Sequence, residues 1–391
     1  MKAIRNFWES IVLSVFKPAR PIPAGVFQYQ SDPVAPQPYR LHLRLNGDGD
    51  GILIVNASTV LHLNQTAAEY AYYLVNRIPT QEAANLVVKR YRVPQNQAIE
   101  DISQFKERID TLIHEQDLDP ITFLDFEEQD PYSSDLSAPL RLDCALTYQF
   151  NGGQTAGLAP MDRVKAELST SEWQTILEKA WQAGIPHVIF TGGEPTLRSD
   201  LSQLIAHAEN LGMVTGLLST GYNLLMPYAL NQLLQAGLDH IMILLDPLSD
   251  GSWQVVQSVQ AADIFQTVHL TISPQIVSQA PSILNRLADL GVKSLSLSAV
   301  DNDLVPSLHS LRQLAAELGL NLVADLPVPY SQFNPVSLEL LENFSGSSGA
   351  GSRWLYVEPD GDVLPAQGIL TPMGNFLNQS WNEIWESRPL K

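Results

Sequence analysis

The stretch His187-Val188-Ile189-Phe190-Thr191-Gly192-Gly193-Glu194-Pro195-Thr196-Leu197 decides the fold. An apolar, β-branched run that halts at two glycines, an acid and a proline reads as a buried strand ending in a tight turn. The helix before it opens at Ser169-Thr170-Ser171-Glu172, a capping box, and closes at Gly184. The same rhythm extends outward from Leu140. Strands are expected at Arg141–Thr147, His187–Thr191, Val214–Ser219, His240–Leu245, Val268–Ile272, Ser294–Ala299 and Leu320–Ala324, with amphipathic helical runs between them. A glycine ahead of a strand recurs at Gly184, Gly237 and Gly291. Strands and helices in strict alternation imply an α/β fold with a parallel sheet, here a partial (β/α)6 TIM-like barrel over residues 138–325.

Composition narrows the function. The 391 residues suffice for two or three domains, and 45% hydrophobic with 17% charged residues is a folded composition. Lys and Arg total 23 against 42 Asp and Glu, a net charge of -19 that repels a phosphate backbone, so no nucleic-acid partner is expected. The single cysteine, Cys144, forbids an intrachain disulfide and any metal or cluster site needing two thiolates. The eight histidines show no paired metal spacing, so no metal site is expected; His187 and His240, each at a strand start, read as structural. No apolar run reaches the length of a membrane span and no cleavable leader is evident, which leads us to expect a cytoplasmic location. Ile4, Phe7, Trp8, Ile11, Val12 and Val15 fall at helical spacing between basic residues. Residues 1–35 therefore read as an amphipathic helix and a Pro-rich linker, the helix docked on its own protein or, less expected, touching a membrane surface through residues 1–17.

Residues 36–116 form a second segment. Alternation over Tyr39–Leu45, a glycine-rich turn, a run over Gly51–Val55 and a third strand at Thr59–Leu63 precede three helices, the last with Ile99, Ile102, Phe105, Ile109 and Leu112 on one face. This is a winged-helix-like α+β module, yet its 8 basic and 9 acidic residues lack the positive footprint of a DNA binder. Residues 117–137 read as a linker. In residues 326–391 a Gly/Ser-rich loop leads to a hairpin whose turn is Pro359-Asp360-Gly361-Asp362, then to a short helix boxed by Ser380 and Glu383.

Thr191-Gly192-Gly193-Glu194-Pro195 resembles the GGEP motif of the radical S-adenosylmethionine (SAM) superfamily, and the barrel is similar to that superfamily's core. The resemblance implies that Gly192, Gly193, Glu194 and Pro195 meet the methionyl amine of S-adenosylmethionine. Ser219 and Thr220, where the family often has Thr-Asn-Gly, would belong to the same site. Asp246 and Glu358 are further carboxylates that would suit the mouth of the barrel. Residues 36–116 resemble a PqqD-like peptide-recognition domain through Leu61-His62-Leu63-Asn64-Gln65-Thr66-Ala67-Ala68-Glu69. That resemblance implies a peptide added as a strand along Thr59, Leu61 and Leu63 and leaning on Ile102, Phe105 and Ile109; core packing is the alternative for each of these side chains. The C-terminal hairpin and helix look like a SPASM or twitch extension, with Ala366 where the family has a cluster-binding cysteine.

The family's chemistry rests on three cysteines in the pattern CxxxCxxC after the first strand. Here Phe150, Gln154 and Gly157 occupy those places, and none ligates iron. The 4Fe-4S cluster typical of the family is therefore expected to be absent, with Phe150 filling part of its volume. The sequence reads as a probable pseudoenzyme, a scaffold for a peptide or a partner enzyme in a peptide-modification pathway, with S-adenosylmethionine possible as a ligand. The other reading is an enzyme that uses S-adenosylmethionine or another small ligand for polar chemistry at the barrel mouth, without iron.

Overall fold

The computed structural model describes residues 20–32, 35–56, 59–114, 136–153, 157–324, 326–336 and 349–388. The amphipathic stretch 1–17 and Gln154 lie outside the described residues. The chain divides into two compact units, residues 1–130 and 131–391.

Among its described residues the first unit holds a four-stranded antiparallel sheet and three helices. Strands β1 (Gly25–Gln30), β2 (Arg40–Leu45), β3 (Gly51–Val55) and β4 (Thr59–Leu63) lie in that spatial order. Helices α1 (Gln65–Val75), α2 (Thr80–Arg90) and α3 (Gln95–His114) follow. Asn64 starts α1 by accepting the Ala67 amide at 3.0 Å, the capping chemistry expected of that residue. Alternate residues of the strands (Leu41, Leu43, Leu53, Leu61, Leu63) and the α3 stripe Ile102, Phe105, Ile109 and Leu112 form one core. One strand was not foreseen. Gly25–Gln30, read as linker, pairs antiparallel with β2 from Gly25 opposite Leu45 to Gln30 opposite Arg40. Prolines on both sides disguise it, and an edge strand is where flanking prolines are tolerated.

The second unit holds the parallel sheet: β5 (Arg141–Thr147), β6 (His187–Gly192), β7 (Val214–Ser219), β8 (His240–Leu244), β9 (Phe265–Ile272), β10 (Ser294–Ala299) and the short β11 (Asn321–Leu322). Helices α4 (Thr170–Gln182), α5 (Leu201–Leu211), α6 (Ala229–Gln235), α7 (Asp250–Gln260), α8 (Ala280–Asp289) and α9 (Val305–Glu317) alternate with them, giving the partial barrel. Ser169 and Glu172 cap α4 reciprocally, as read from the sequence. On one sheet face Ile189, Leu218, Met242 and Leu244 gather into a cluster, and Leu326 and Val328 of the segment after β11 pack onto it. That segment is tied down by Asn334 Nδ2 and Gln367 Nε2, which both donate to the Val328 carbonyl, at 2.7 and 2.8 Å.

The C-terminal extension is continuous with the barrel. Strand β12 (Trp354–Val357) joins β5 in parallel, Val357 opposite Cys144, and continues into antiparallel β13 (Asp362–Leu364) and β14 (Gly374–Asn375). Helix α10 (Trp381–Glu386) starts at the expected Ser380–Glu383 box, and Trp385 Nε1 donates to the Leu136 carbonyl at 3.1 Å.

Candidate ligand site at the barrel mouth

The glycine pair is dictated by close approach. Gly192 has φ +118°, and a Cβ there would stand 2.3 Å from the Thr147 carbonyl; on Gly193 it would stand 2.4 Å from the Gln149 carbonyl. The amides of Gly193 and Glu194 donate to those same two carbonyls, each at 2.8 Å. No side chain fits where two backbones hydrogen-bond this closely. The Gly192 carbonyl accepts the Tyr330 amide at 2.9 Å, which fastens the segment after β11 to the turn.

Glu194 is 1% exposed, and its carboxylate is held from all sides. Oε1 accepts from Ser219 Oγ at 2.6 Å, from the Thr196 amide at 3.2 Å and from the Thr196 hydroxyl; Oε2 accepts from the Thr220 amide at 3.0 Å and from the Thr220 hydroxyl. These five donors use the lone-pair capacity of a carboxylate, so Glu194 contributes a fixed negative charge more than a free acceptor. Ser219 and Thr220, singled out from the sequence, thus meet Glu194 directly. Pro195 is buried at the start of a short 3₁₀ turn, Pro195–Leu197. Thr196 was not expected in the site; only its place next to the acid could have signalled it.

Beside this turn lies a cavity of about 690 Å³, a volume usual for small-ligand sites. Phe150, Glu194, Thr220, Tyr222, Asp246 and Phe333 are among its lining residues. Asp246, at the end of β8, uses Oδ1 to accept the Leu248 amide at 3.1 Å. Glu358 does not reach the cavity. It is buried beneath the mouth, where it accepts from the Tyr148 hydroxyl at 3.1 Å and from Arg163 Nη2 at 2.8 Å.

The residues present do not fit a 4Fe-4S cluster. Phe150 is half-buried, packs on the group formed by Ala145, Tyr148, Ala159, Tyr330, Tyr356 and Leu364, and forms one wall of the cavity. Gly157 is exposed at φ +77°. Cys144 is fully buried inside β5, and burial pushes its thiol well above the ordinary range, so it offers no thiolate. Ala366 is buried next to the hairpin.

Two other histidine groups are closed structures. His187 and His240 meet Nε2 to Nε2 at 2.7 Å, with Gly216 of β7 between them; burial drives the His187 pKa well below its usual value and that of His240 down to about 4. His269 sits among Ser296, Thr271 and Ser298 hydroxyls at 3.0–3.1 Å, its pKa lowered to about 4 by burial.

In the first unit Leu61, Leu63, Ile102, Phe105 and Ile109, grouped by resemblance, share one core. Thr59, Leu61 and Leu63 lie on β4, a sheet edge, with Leu61 and Leu63 pointing into the core. Ile109 is core as well. Ile102 and Phe105 line a cavity of about 330 Å³ at the opposite side of the sheet, with Tyr29 of β1 and Tyr39, Leu41 and Tyr73 as neighbours.

The parallel half-barrel is a TIM-like fold of the kind seen in radical SAM structures. The sequence is 25% identical over 292 residues to a PqqA peptide cyclase of Methylobacterium sp. (strain 4-46), covering 65% of this chain and 74% of that one. It is 27% identical over 231 residues to a PqqA peptide cyclase of Bradyrhizobium diazoefficiens, covering 52% and 60%. Among solved structures, Streptococcus suis SuiB bound to S-adenosylmethionine superposes with a TM-score of 0.62 at 16% identity, over 92% of this chain and 88% of that one. SuiB bound to its precursor peptide SuiA gives 0.59 at 14% identity, over 94% and 88%. No family model matches the sequence.

Proposed function

We propose that this chain is a cluster-free protein on a radical SAM scaffold, and that it binds a peptide, or the enzyme that modifies it, in a peptide-modification pathway. The observation that carries the reading is the state of its one thiol. Cys144 is sealed in the sheet, and the loop that would need three thiolates presents Phe150 and Gly157 at two of the places. On this reading no cluster supplies the electron that splits the sulfonium of S-adenosylmethionine, and the chain acting alone carries out no radical chemistry. The similarity to peptide cyclases and to a structure holding a precursor peptide supports a peptide as the ligand. S-adenosylmethionine is a candidate occupant of the mouth cavity, with Thr220 and Glu194 at its wall.

Anaerobic reconstitution of the full chain with iron and sulfide tests the reading. Expected are a colourless protein, iron well below one cluster per chain and no deoxyadenosine on reduction with S-adenosylmethionine present. A stoichiometric 4Fe-4S spectrum with deoxyadenosine formation overturns it. Affinity capture from the native host, with and without residues 36–116, then asks whether the captured species is a modification enzyme or its peptide.

A further inference from the structure

The mouth cavity carries one sign of charge. Glu194 and Asp246 line it, and among the described residues its wall has no lysine, arginine or histidine. From Ser199 to Asn285, the sequence that builds this side of the barrel, there is no lysine or arginine at all, while Asp200, Glu209, Asp239, Asp246, Asp250 and Asp263 fall within it. Among the described residues neither Glu194 nor Asp246 has an ion-pair partner within 4 Å. Glu194 has spent its acceptor capacity on its five donors, whereas Asp246 uses only Oδ1 in its contact with Leu248. Aromatic rings of Phe150, Tyr222 and Phe333 make up much of the rest of the wall. Such a cavity repels phosphates and carboxylates and suits a cation with an apolar stem.

A second feature adjoins it. Tyr222 lines the cavity, and the turns after β6, β7 and β8 carry further exposed apolar side chains: Leu197, Leu225, Met226, Tyr228 and Leu248. Met226 and Leu248 are each 63% exposed and Tyr228 83%, with Tyr228 in the left-handed region at φ +67°, an unusual conformation for a bulky residue. The turns are joined to one another: Asn223 Nδ2 donates to Thr196 Oγ1 at 3.0 Å, and the Tyr222 hydroxyl to Ser249 Oγ at 3.0 Å. An apolar surface of this kind beside a concave site marks a place where a partner lies.

We infer that the cavity and this surface form one site for an extended peptide, which places the cationic side chain of an arginine or lysine against Asp246 and its neighbouring apolar residues over Tyr222, Met226 and Tyr228. Continuity through Tyr222 selects a polypeptide over a free small cation, because only a chain spans both parts. The anionic cavity selects the basic residue. The inference rests on the peptide-binding reading above and gives that reading a sequence preference.

The test is fluorescence anisotropy on the full chain with a labelled peptide of one arginine between leucine pairs, and the same peptide with citrulline, which keeps the shape and loses the charge. The arginine peptide is expected to bind at least about tenfold tighter, a gap worth roughly 1.4 kcal/mol. Asp246→Asn should erase that preference, and Tyr228→Ser should weaken both peptides by a similar factor; thermal melts verify that both variants are folded. Equal binding of the two peptides, or a preference that survives Asp246→Asn, overturns the inference. So does competition by free arginine amide at the peptide's own half-saturating concentration, since a small cation would then be the ligand. Capture of a peptide or enzyme through residues 36–116 without any arginine preference would leave the scaffold reading standing and remove only this one.

Discussion

The Tyr148 hydroxyl donates to Oε1 of Glu358 at 3.1 Å across 210 positions of sequence, joining the end of the first barrel strand to the C-terminal hairpin. Arg163 completes the arrangement by contacting both oxygens of the same carboxylate, with Nε at 3.2 and 3.1 Å and Nη2 at 2.8 Å. Glu358 is 1% exposed, and a guanidinium and a phenol replace the water it lost. The phenol of Tyr148 is correspondingly pushed well above its ordinary pKa, by burial first and then by the neighbouring Tyr356 phenol and Glu358 carboxylate.

Breaking this pair should loosen the extension from the barrel. Glu358→Gln leaves Arg163 without its counter-charge and should cost about 2–3 kcal/mol, seen as a Tm lower by roughly 5–10 °C. Tyr148→Phe removes one hydrogen bond to a charged group and should cost about 1.5 kcal/mol. The two losses should sum to more than the loss in the double variant, since both act on one carboxylate. Urea titration of the four proteins measures this, and strict additivity would contradict a shared network.

How far the sequence reveals this arrangement depends on the range of the forces. The six main barrel strands follow from local signals, apolar runs bounded by Gly184, Gly237 and Gly291, and their observed bounds agree to within a few residues. Asp360-Gly361 announced the hairpin in the same way, with Gly361 at φ +88°. Ser219 and Thr220 were singled out by the resemblance, from their place at the end of a strand where the family often has Thr-Asn-Gly. Strand β1 was missed because prolines flank it, and the segment Leu326-Pro327-Val328-Pro329-Tyr330 because it has neither helical nor strand period while packing into the barrel. The bond between Tyr148 and Glu358 has no local signature, and so Glu358 was expected at the mouth when it belongs to the core beneath. The residues of the peptide-groove expectation, Leu61 and Leu63 of β4 and Ile102, Phe105 and Ile109 of α3, share one core, and no local signal distinguishes a groove wall from a core side chain.

The lone thiol should be inert in the native protein. Cys144 is fully buried in β5 and its ionisation is disfavoured by burial and by the adjacent Asp143 carboxylate. A thiol-reactive chromophore should label the native chain negligibly over hours and label one thiol per chain in denaturant. Rapid native labelling would show that Cys144 is accessible and would reopen the question of its ligating a metal.

Acid should destabilise the barrel through its buried histidines. His240 and His269 titrate near 4 in the folded chain against 6.5 in the unfolded one, and His187 is shifted in the same direction. Because the unfolded state takes up these protons first, their effect on stability is nil above about pH 6.5 and grows unfavourable as pH falls toward 4. For His269 alone the loss reaches roughly 3 kcal/mol. Stability measured by urea titration at several pH values across this window should therefore fall less steeply in His269→Gln than in the parent. An unchanged slope would mean that His269 does not remain neutral in the fold.

The glycine pair offers the sharpest test of whether the GGEP turn is kept for shape. A methyl group on Gly192 would press on the Thr147 carbonyl at 2.3 Å in a backbone conformation that L-residues avoid, and neither strand can retreat without breaking the 2.8 Å bond from Gly193 to the same carbonyl. Gly192→Ala should therefore cost at least about 3 kcal/mol, enough to lower soluble yield or Tm markedly in the absence of any ligand. Gly153→Ala is the control: that residue also has a positive φ, +72°, but nothing lies within 4 Å of the added methyl, so the cost should stay near 1 kcal/mol. If Gly192→Ala melts like the parent and loses only S-adenosylmethionine or peptide binding, the turn serves a ligand and its geometric explanation fails.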